Sequence, residues 1–372
     1  MTNDPVRASA DFIEQFMVDV FCGLGVPEED AKVCAEVLIC ADKLGIDSHG
    51  INRCKPIYYD RIKSGILNPV THFEIVRDSK ATAVVDGHNG MGHVVAKRCM
   101  QMAIEKAREH GVGCVVARNS THFGIAGYYA LMAAEAGMIG QISTNARPSI
   151  APTFGVENML GTNPLTFAMP SDEKFPFMID CATSVCQRGK IELYERMGKD
   201  TPAGLVIDRS GKTRTDTSRI LADLKSGKAA LVPLGGLGDE TGGHKGYGYA
   251  TTVELLSSAL QNGNSMKQLS GVKEGKPTPI ELGHFFMAID VQAFIDLEKF
   301  KGNVGHVLRE LRVSAKAPGR DRIYTAGEKE GIALEERSKN GIPLPGAIVA
   351  DMKAMRDELG LSQYKVFPWE QR

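Results

Sequence analysis

The side chains best equipped for chemistry stand together in the run Asp47-Ser48-His49-Gly50-Ile51-Asn52-Arg53. Arg53 offers a rigid fork of donors that matches a carboxylate bidentately. His49 carries the one side chain whose ordinary pKa lies near neutrality, which suits proton transfer. Ser48 adds a hydroxyl, Gly50 lets the backbone approach a bound molecule, and Tyr58 or Tyr59 comes closely enough after them to reach the same pocket. A carboxylate clamp beside a proton donor is what chemistry on a 2-hydroxy or 2-keto acid needs. The competing reading is a charged turn after an amphipathic helix. A second histidine, His122, stands in Asn119-Ser120-Thr121-His122-Phe123-Gly124-Ile125-Ala126-Gly127-Tyr128, where a strand ending at Ala117 gives way to a helix. Ligand sites of α/β sheets lie at such strand ends. His122 is therefore a candidate general acid/base, with a satisfied structural histidine as the alternative.

Three polar turns abut predicted strands: Ser143-Thr144-Asn145-Ala146-Arg147-Pro148, Gly161-Thr162-Asn163-Pro164 and Asp180-Cys181-Ala182-Thr183-Ser184. Any one is only a turn signal. Three at strand ends offer the small donors and acceptors that hold ribose, pyrophosphate and amide groups. A fourth, Gly242-Gly243-His244-Lys245-Gly246-Tyr247-Gly248, leads into a helix and has the makings of an anion site. The chain has no Walker A order and no Gly-x-Gly-x-x-Gly after a strand, since Gly90-Met91-Gly92 and Gly111-Val112-Gly113 both lack the third glycine. An ordinary Rossmann fingerprint is thus absent. No Gly-x-Ser-x-Gly elbow supports a hydrolase. The histidines show no His-Glu-x-x-His pattern and the cysteines no paired spacing, so no metal is expected.

Periodicity and bulk properties give the framework that carries these groups. The chain has 372 residues, 43% hydrophobic and 24% charged, enough for two or three cooperating lobes with a sizeable core. A formal net charge of −1 gives no footprint for nucleic acid or an anionic membrane. No apolar run reaches membrane-spanning length, and Met1 to Arg7 lacks the basic-then-apolar order expected of a signal peptide. The 8 cysteines are expected to be reduced, mostly buried and structural, in a cytoplasmic protein. Residues 8–44 read as two helices, the first capped by Asp11 and the second opened by Pro27-Glu28-Glu29-Asp30. Residues 328–359 are helix-prone again, broken at Pro343-Leu344-Pro345, so both ends form one helical lobe. Between them, strands at 81–87, 111–117, 139–143, 165–169, 177–180 and 283–290 alternate with helices at 94–110, 126–136 and 248–260. That alternation favours an α/β sheet. Residues 199–243 read as long loops over it.

Taken together, these stretches resemble the type-2 malate/L-lactate dehydrogenase family, which also includes ureidoglycolate and sulfolactate dehydrogenases and diketogulonate reductase. The matching pieces are Ala41-Asp42, Gly45 to Arg53, Tyr59-Asp60-Arg61-Ile62, His122-Phe123-Gly124, Gly161 to Pro164, Asp180 to Ser184, Gly189-Lys190-Ile191, Gly243 to Gly248, Pro318-Gly319 and Gly327-Glu328, running through almost the whole chain. Two positions depart from the pattern: Ala326 stands where a proline is usual, and Cys181 where methionine is. The resemblance implies a nicotinamide-dependent oxidoreductase on a non-Rossmann, mixed-sheet α/β fold. It implies a helical lobe from both termini (1–75 plus 318–372), a cofactor-binding region (76–317), and a homodimer with the site at a domain and subunit junction.

Carried over residue by residue, His49 and His122 share the acid/base assignment. The cofactor contacts fall on Thr144, Asp180, Cys181, Ala182, Lys245, Gly327 and Glu328, and the turn Gly161-Thr162-Asn163 joins them. The expected roles are a 2-carboxylate held by Arg53 with Ser48 and Tyr59, and a proton moved by His122, with His49 orienting the substrate. A distal carboxylate would meet Arg147 or Arg188. Malate is the first expectation for substrate and NAD is preferred to NADP. Lactate, sulfolactate, ureidoglycolate or a cyclic imino acid is the alternative, and a catalytically silent dinucleotide-binding protein is the reading from another class.

Overall fold

The two ends of the chain meet in the computed structural model, which describes residues 5–370. Strand β1 (Val6–Ala8) pairs antiparallel with β13 (Ile342–Leu344), Val6 opposite Leu344. Helices α1 (Ala10–Gly23) and α2 (Glu28–Lys43) from one end pack with α10 (Glu328–Asn340) and α11 (Gly346–Leu359) from the other. Their shared core holds Phe16, Phe21, Leu38, Tyr58, Met352 and Phe367, all wholly buried. Helix α1 is capped by Ser9, whose hydroxyl accepts from the Phe12 amide, and not by Asp11, which lies in the first turn. Pro27 caps α2, with Glu28, Glu29 and Asp30 in the first turn where the helix dipole favours acids.

A seven-stranded mixed sheet forms the second part, in the order β2 (Glu74–Asp78), β3 (Thr82–Asp86), β4 (Val112–Ser120), β12 (Leu282–Asp290), β5 (Met138–Thr144), β6 (Leu165–Met169), β7 (Phe177–Cys181). Only β3 and β4 run parallel; every other neighbouring pair is antiparallel. Strand β12 arrives from far along the chain to fill the centre, which its near-continuous apolar run Phe285-Phe286-Met287-Ala288-Ile289 suits. Helices α4 (Gly92–His110) and α5 (Ala126–Glu135) bury their faces against the sheet over Val85, Val95, Val115, Tyr129 and Phe286. The short α3 (Asp60–Lys63) comes after a π-helical turn over Cys54–Tyr59.

The stretch 199–243, expected as loops, contains structure of its own. Helix α6 (Arg188–Arg196) leads into β8 (Val206–Asp208), α7 (Thr217–Lys225) and β9 (Ala229–Leu231), which pairs with β8. Asp216 caps α7 by accepting from the Arg219 amide, and Ile220 and Leu231 enter a small core with Val206 and Ile150. The apolar residues are sparse there, which hides the period; Val206, Ile207, Ile220 and Leu231 land inward, whereas Leu234 and Leu237 stay exposed. After α8 (Gly243–Leu256), a hairpin of β10 (Val272–Lys273) and β11 (Lys276–Pro277) precedes β12, and α9 (Leu297–Val313) comes after it. No helix is long and apolar enough to cross a membrane among the described residues. All eight cysteines are free; Cys34, Cys54 and Cys99 are buried, Cys40, Cys114, Cys181 and Cys186 are half-buried and Cys22 is exposed, so fewer are buried than the expected majority.

Candidate active site

The run Asp47–Arg53 sits in a tight turn after α2 and not on a continuing helix. The Asp42 carboxylate, at the end of α2, accepts from the Ile51 amide at 2.8 Å. A Cβ at position 50 would lie 1.8 Å from Asp42 Oδ1, so Gly50 is required by this packing and not by the approach of a ligand. Arg337 of α10 clamps the turn from outside, donating to the Asp42 carbonyl at 2.5 Å and to Asp47 at 2.5 and 3.0 Å. Burial raises the Asp42 pKa to about 7. Within the turn, Ser48 Oγ lies 2.8 Å from His49 Nδ1, and Arg53 Nε donates to the Ser48 carbonyl at 2.6 Å. Burial, with the Arg53 charge, lowers the His49 pKa to about 4, so this ring is neutral at physiological pH.

His122 faces this turn from the end of β4, its ring stacked on that of His49 with centroids 5.8 Å apart. Gly92 opens α4 so close to the His122 strand that a Cβ there would sit 2.3 Å from the Thr121 carbonyl oxygen and 2.5 Å from that of His122. Thr121 ties the same joint, donating to the Gly90 carbonyl and accepting from the Gly92 amide. His122 Nδ1 lies 2.5 Å from the Tyr58 hydroxyl and accepts from the Gly124 amide at 3.3 Å. A backbone N–H can only donate, so the neutral ring carries its proton on Nε2. Burial, together with His49, His93, Arg61 and Arg53, pushes the His122 pKa well below its usual value. His93, wholly buried with its ring 4.5 Å from that of Tyr58, has no partner for either nitrogen and is itself lowered to about 3 by burial.

The tyrosine beside His122 is Tyr58, not Tyr59 as expected. The Tyr59 hydroxyl donates to Glu358 at 2.7 Å on the opposite side, with Lys55 and Lys63 over its ring. The π-helical turn explains the exchange: it adds a residue to one turn and rotates the residues after it by about 100°. Arg61, a residue of the family pattern with no role expected for it, comes next to the site. It lines a cavity of about 100 Å³ with Arg147, Thr121, Asn89 and Ser270. Desolvation lowers the Arg61 pKa, with Arg147 adding to the effect. None of the ion pairs among the described residues engages Arg53, Arg61 or Arg147. Arg188, the other distal cation considered, lies on α6 and pairs with Glu192 at 3.0 Å. The signal for Arg61 in the sequence was its i, i+3 spacing from Tyr58.

The residues expected around a cofactor also converge, and most of their side chains are engaged. Asp180, at the end of β7, accepts from the Gly127 amide at 2.7 Å and from Thr166 at 2.9 Å, so its carboxylate caps α5 directly after the His122 loop. Thr183, two residues past Cys181 and next to Ala182, donates from its amide to the Thr162 carbonyl. Asn163 donates to the Ala250 carbonyl and to Glu254, and accepts from the Ala146 amide. Gly161 has no room for a Cβ, which would fall 2.4 Å from the Ala146 carbonyl oxygen. The Thr144 hydroxyl lies 2.7 Å from His284 Nδ1. Glu328 accepts from the Thr325 amide and pairs with Arg322, while Gly327 packs on the Pro176 carbonyl at the start of β7. Lys245 differs: it is exposed, unpaired among the described residues, and stands in the first turn of α8. Gly235, Gly236, Gly238 and Gly242 hold left-handed backbone around that turn. A Cβ on Gly243 would fall 2.0 Å from the Gly236 carbonyl oxygen. This bare, lysine-bearing helix start is a donor set that fits a diphosphate.

A mixed sheet without a Rossmann fingerprint thus carries a stacked histidine pair, with three arginines near it that no ion pair among the described residues engages. The sequence pattern of the malate/L-lactate dehydrogenases matches residues 8–353. A malate dehydrogenase of Pyrococcus horikoshii is 44% identical over 96% of this chain and 96% of its own length. An L-sulfolactate dehydrogenase of Methanocaldococcus jannaschii is 38% identical over 94% of this chain and 96% of its own length. The crystal structure of a malate dehydrogenase from Entamoeba histolytica superposes with a TM-score of 0.92, at 46% identity, covering 96% of this chain and 98% of that one. The chain belongs to the malate/L-lactate dehydrogenase family.

Proposed function

We infer that this protein moves a hydride between a nicotinamide dinucleotide and a small 2-hydroxy acid, with malate and oxaloacetate as the first pair. One observation carries the reading: the Tyr58–His122 hydrogen bond lies beside three arginines that no carboxylate of the described residues neutralises. Arg53 is assigned the 2-carboxylate. Arg61 and Arg147, with Thr121, take the far end, and two guanidiniums there suit a second carboxylate or a sulfonate better than the methyl of lactate. Burial is the main reason that His122 is neutral; a substrate anion among these cations offsets only the smaller part due to Arg61 and Arg53, and so favours the protonated ring. In reduction, His122 protonated on both nitrogens donates from Nε2 to the substrate oxygen as the alcohol forms, which leaves a neutral ring with its proton on Nδ1 toward the Tyr58 oxygen. In oxidation, the ring in that tautomer, rather than the Nε2–H form of the ligand-free site, takes the hydroxyl proton on Nε2 and becomes the cation again. His49, held by Ser48, polarises or orients the substrate. The bound nicotinamide would supply or accept the hydride.

Lys245 and the α8 start are assigned the diphosphate; Gly161, Thr162, Cys181, Ala182 and Gly327 contribute backbone to the cofactor wall. NAD is the form proposed, because Arg188 and Lys190, the cations just after the Cys181 turn, are engaged with Glu192 and the Tyr194 ring inside α6. A cytoplasmic homodimer with a terminus-derived helical lobe (1–75 plus 318–372) and a catalytic region (76–317) completes the reading.

The test is loss of reduced-nicotinamide absorbance with purified protein, NADH or NADPH, and a panel of oxaloacetate, sulfopyruvate, pyruvate and cyclic imines. Rapid oxidation with oxaloacetate, and slow oxidation with pyruvate, is expected. Turnover with imines alone would replace the reading with an imino-acid reductase, and cofactor binding without turnover would replace it with a silent binding protein.

A further inference from the structure

Away from the cleft, three chemically matched side chains meet on the free edge of the sheet. Glu74 opens β2, and His72 lies two residues before it. Glu74 is in register with Asp86 on β3. The chain leaving β3 turns back at once, and His88 lands over Glu74 with its Nε2 2.6 Å from Glu74 Oε2. The His72 and His88 rings stack with centroids 4.5 Å apart and planes inclined by 29°. One ligand atom from each of the three residues lies within 4.8 Å of the others. Asp86 Oδ1 stands 3.8 Å from His88 Nε2 behind them.

The backbone that presents His88 is built for the purpose. His88 and Asn89 are consecutive non-glycine residues with left-handed backbone, φ 46° and 57°. Such a pair costs roughly 1–2 kcal/mol per residue and persists only where its surroundings impose it. Here they do. The His88 amide donates to Asp86 at 3.0 Å, and its carbonyl accepts from the Asn68 side chain at 2.7 Å. The Asn89 amide donates to the Asn119 carbonyl, and its side chain donates to the Ile66 carbonyl. The imidazole is therefore held in place from both sides while its ring stays exposed.

We propose that His72, Glu74 and His88 form a binding site for a late first-row divalent cation of the zinc type. Two imidazoles and one carboxylate are the donor set such ions prefer, whereas magnesium and calcium want oxygen alone. A tetrahedral ion at ~2.0–2.1 Å from its ligands needs them roughly 3.3 Å apart, so two exposed side chains must close in while the His88–Glu74 pair opens around the ion. Solvent supplies the fourth ligand. The ion staples β2, an edge strand with every residue exposed, to the turn after β3. The absence of a metal expected from the sequence rested on spacing along the chain; this cluster is assembled across a strand pair, with Glu74 and His88 14 positions apart.

Zinc and cobalt titrations of the full-length, tag-free protein test the proposal, with calorimetry for stoichiometry and cobalt absorbance for ligand type. The expected result is one ion per chain and a melting temperature raised by a few degrees. Affinity should weaken about tenfold or more in His72→Gln and in His88→Gln, and the cobalt spectrum should carry no thiolate charge-transfer band. Both side chains are exposed, so the variants fold, and circular dichroism with unchanged dehydrogenase turnover verifies it. Binding that survives the double variant His72→Gln/His88→Gln overturns the proposal, as does a thiolate band, which would place the ion on cysteine. Absence of binding up to millimolar zinc overturns it as well.

Discussion

The two walls of the cleft treat their polar side chains in opposite ways. On the His122 wall, Arg53, Arg61 and Arg147 lack acidic partners among the described residues, and the buried His93 has no hydrogen bond at all. On the wall assigned to the cofactor, Asp180, Asn163, Thr144 and Glu328 are each held by internal bonds. A buried polar group left unpaired is unfavourable by roughly 1–3 kcal/mol; on the first wall that applies to His93, whereas Arg53 and Arg61 are half-buried and Arg147 is exposed. The second has already used its side chains to build the strand-end turns, and it offers backbone and the α8 start instead. Polar residues thus stay without acidic partners on one side and serve architecture on the other.

The largest expected effect breaks the reactive wall. His122→Ala should lower kcat by about 10²–10⁴-fold with little change in Tm, and Tyr58→Phe should lower it less while shifting the pH profile. Steady-state kinetics decides; a His49→Ala loss exceeding that of His122→Ala would exchange the two roles. Next, Arg61→Met or Arg147→Met should reduce kcat/KM for oxaloacetate by about 10–100-fold, the worth of a charge-assisted contact of roughly 1.5–3 kcal/mol. Pyruvate turnover should stay within a small factor, and an equal loss for both substrates would remove these arginines from the distal end.

A smaller effect sharpens the contrast with the cofactor wall. Asp180→Ala uncaps α5 and frees Thr166, so it should lower stability by about 1–2 kcal/mol in denaturant unfolding. A variant as stable as the wild type that no longer binds NADH would make Asp180 a recognition residue after all. An effect of similar size, confined to high pH, concerns Asp42. The folded-state pKa of Asp42 is raised above the unfolded value, so the folded state binds the extra proton and stability is lost as pH rises from about 4 through about 7. Asp42→Asn should match the wild type near pH 4 and exceed it by roughly 1–3 kcal/mol above pH 7. A difference independent of pH would show that this carboxyl is ionised without penalty.

Much of this protein is legible in the residue order. The alternation of apolar runs over 81–143 predicts strands β3 to β5 and helices α4 and α5 within a few residues, because period and turn chemistry are local. The residue types from Ser48 to Arg53, His122 with its glycines, and Lys245 in a glycine-rich turn mark the chemistry and the family. Tertiary structure alone decided which groups face one another. The π-helical turn put Tyr58 and not Tyr59 beside His122, the fold of the 143–148 turn set Arg147 beside Arg61 while Arg188 went to α6, and β12 entered the sheet centre from more than a hundred residues away. The saturation of Asp180 and Asn163 depended on Gly127 and Glu254, partners with no fixed spacing from them. The physical reason is common to all of these. Local spacing sets a side chain's type and, within one helical turn, its direction, whereas pairing energies depend on distances that only packing establishes.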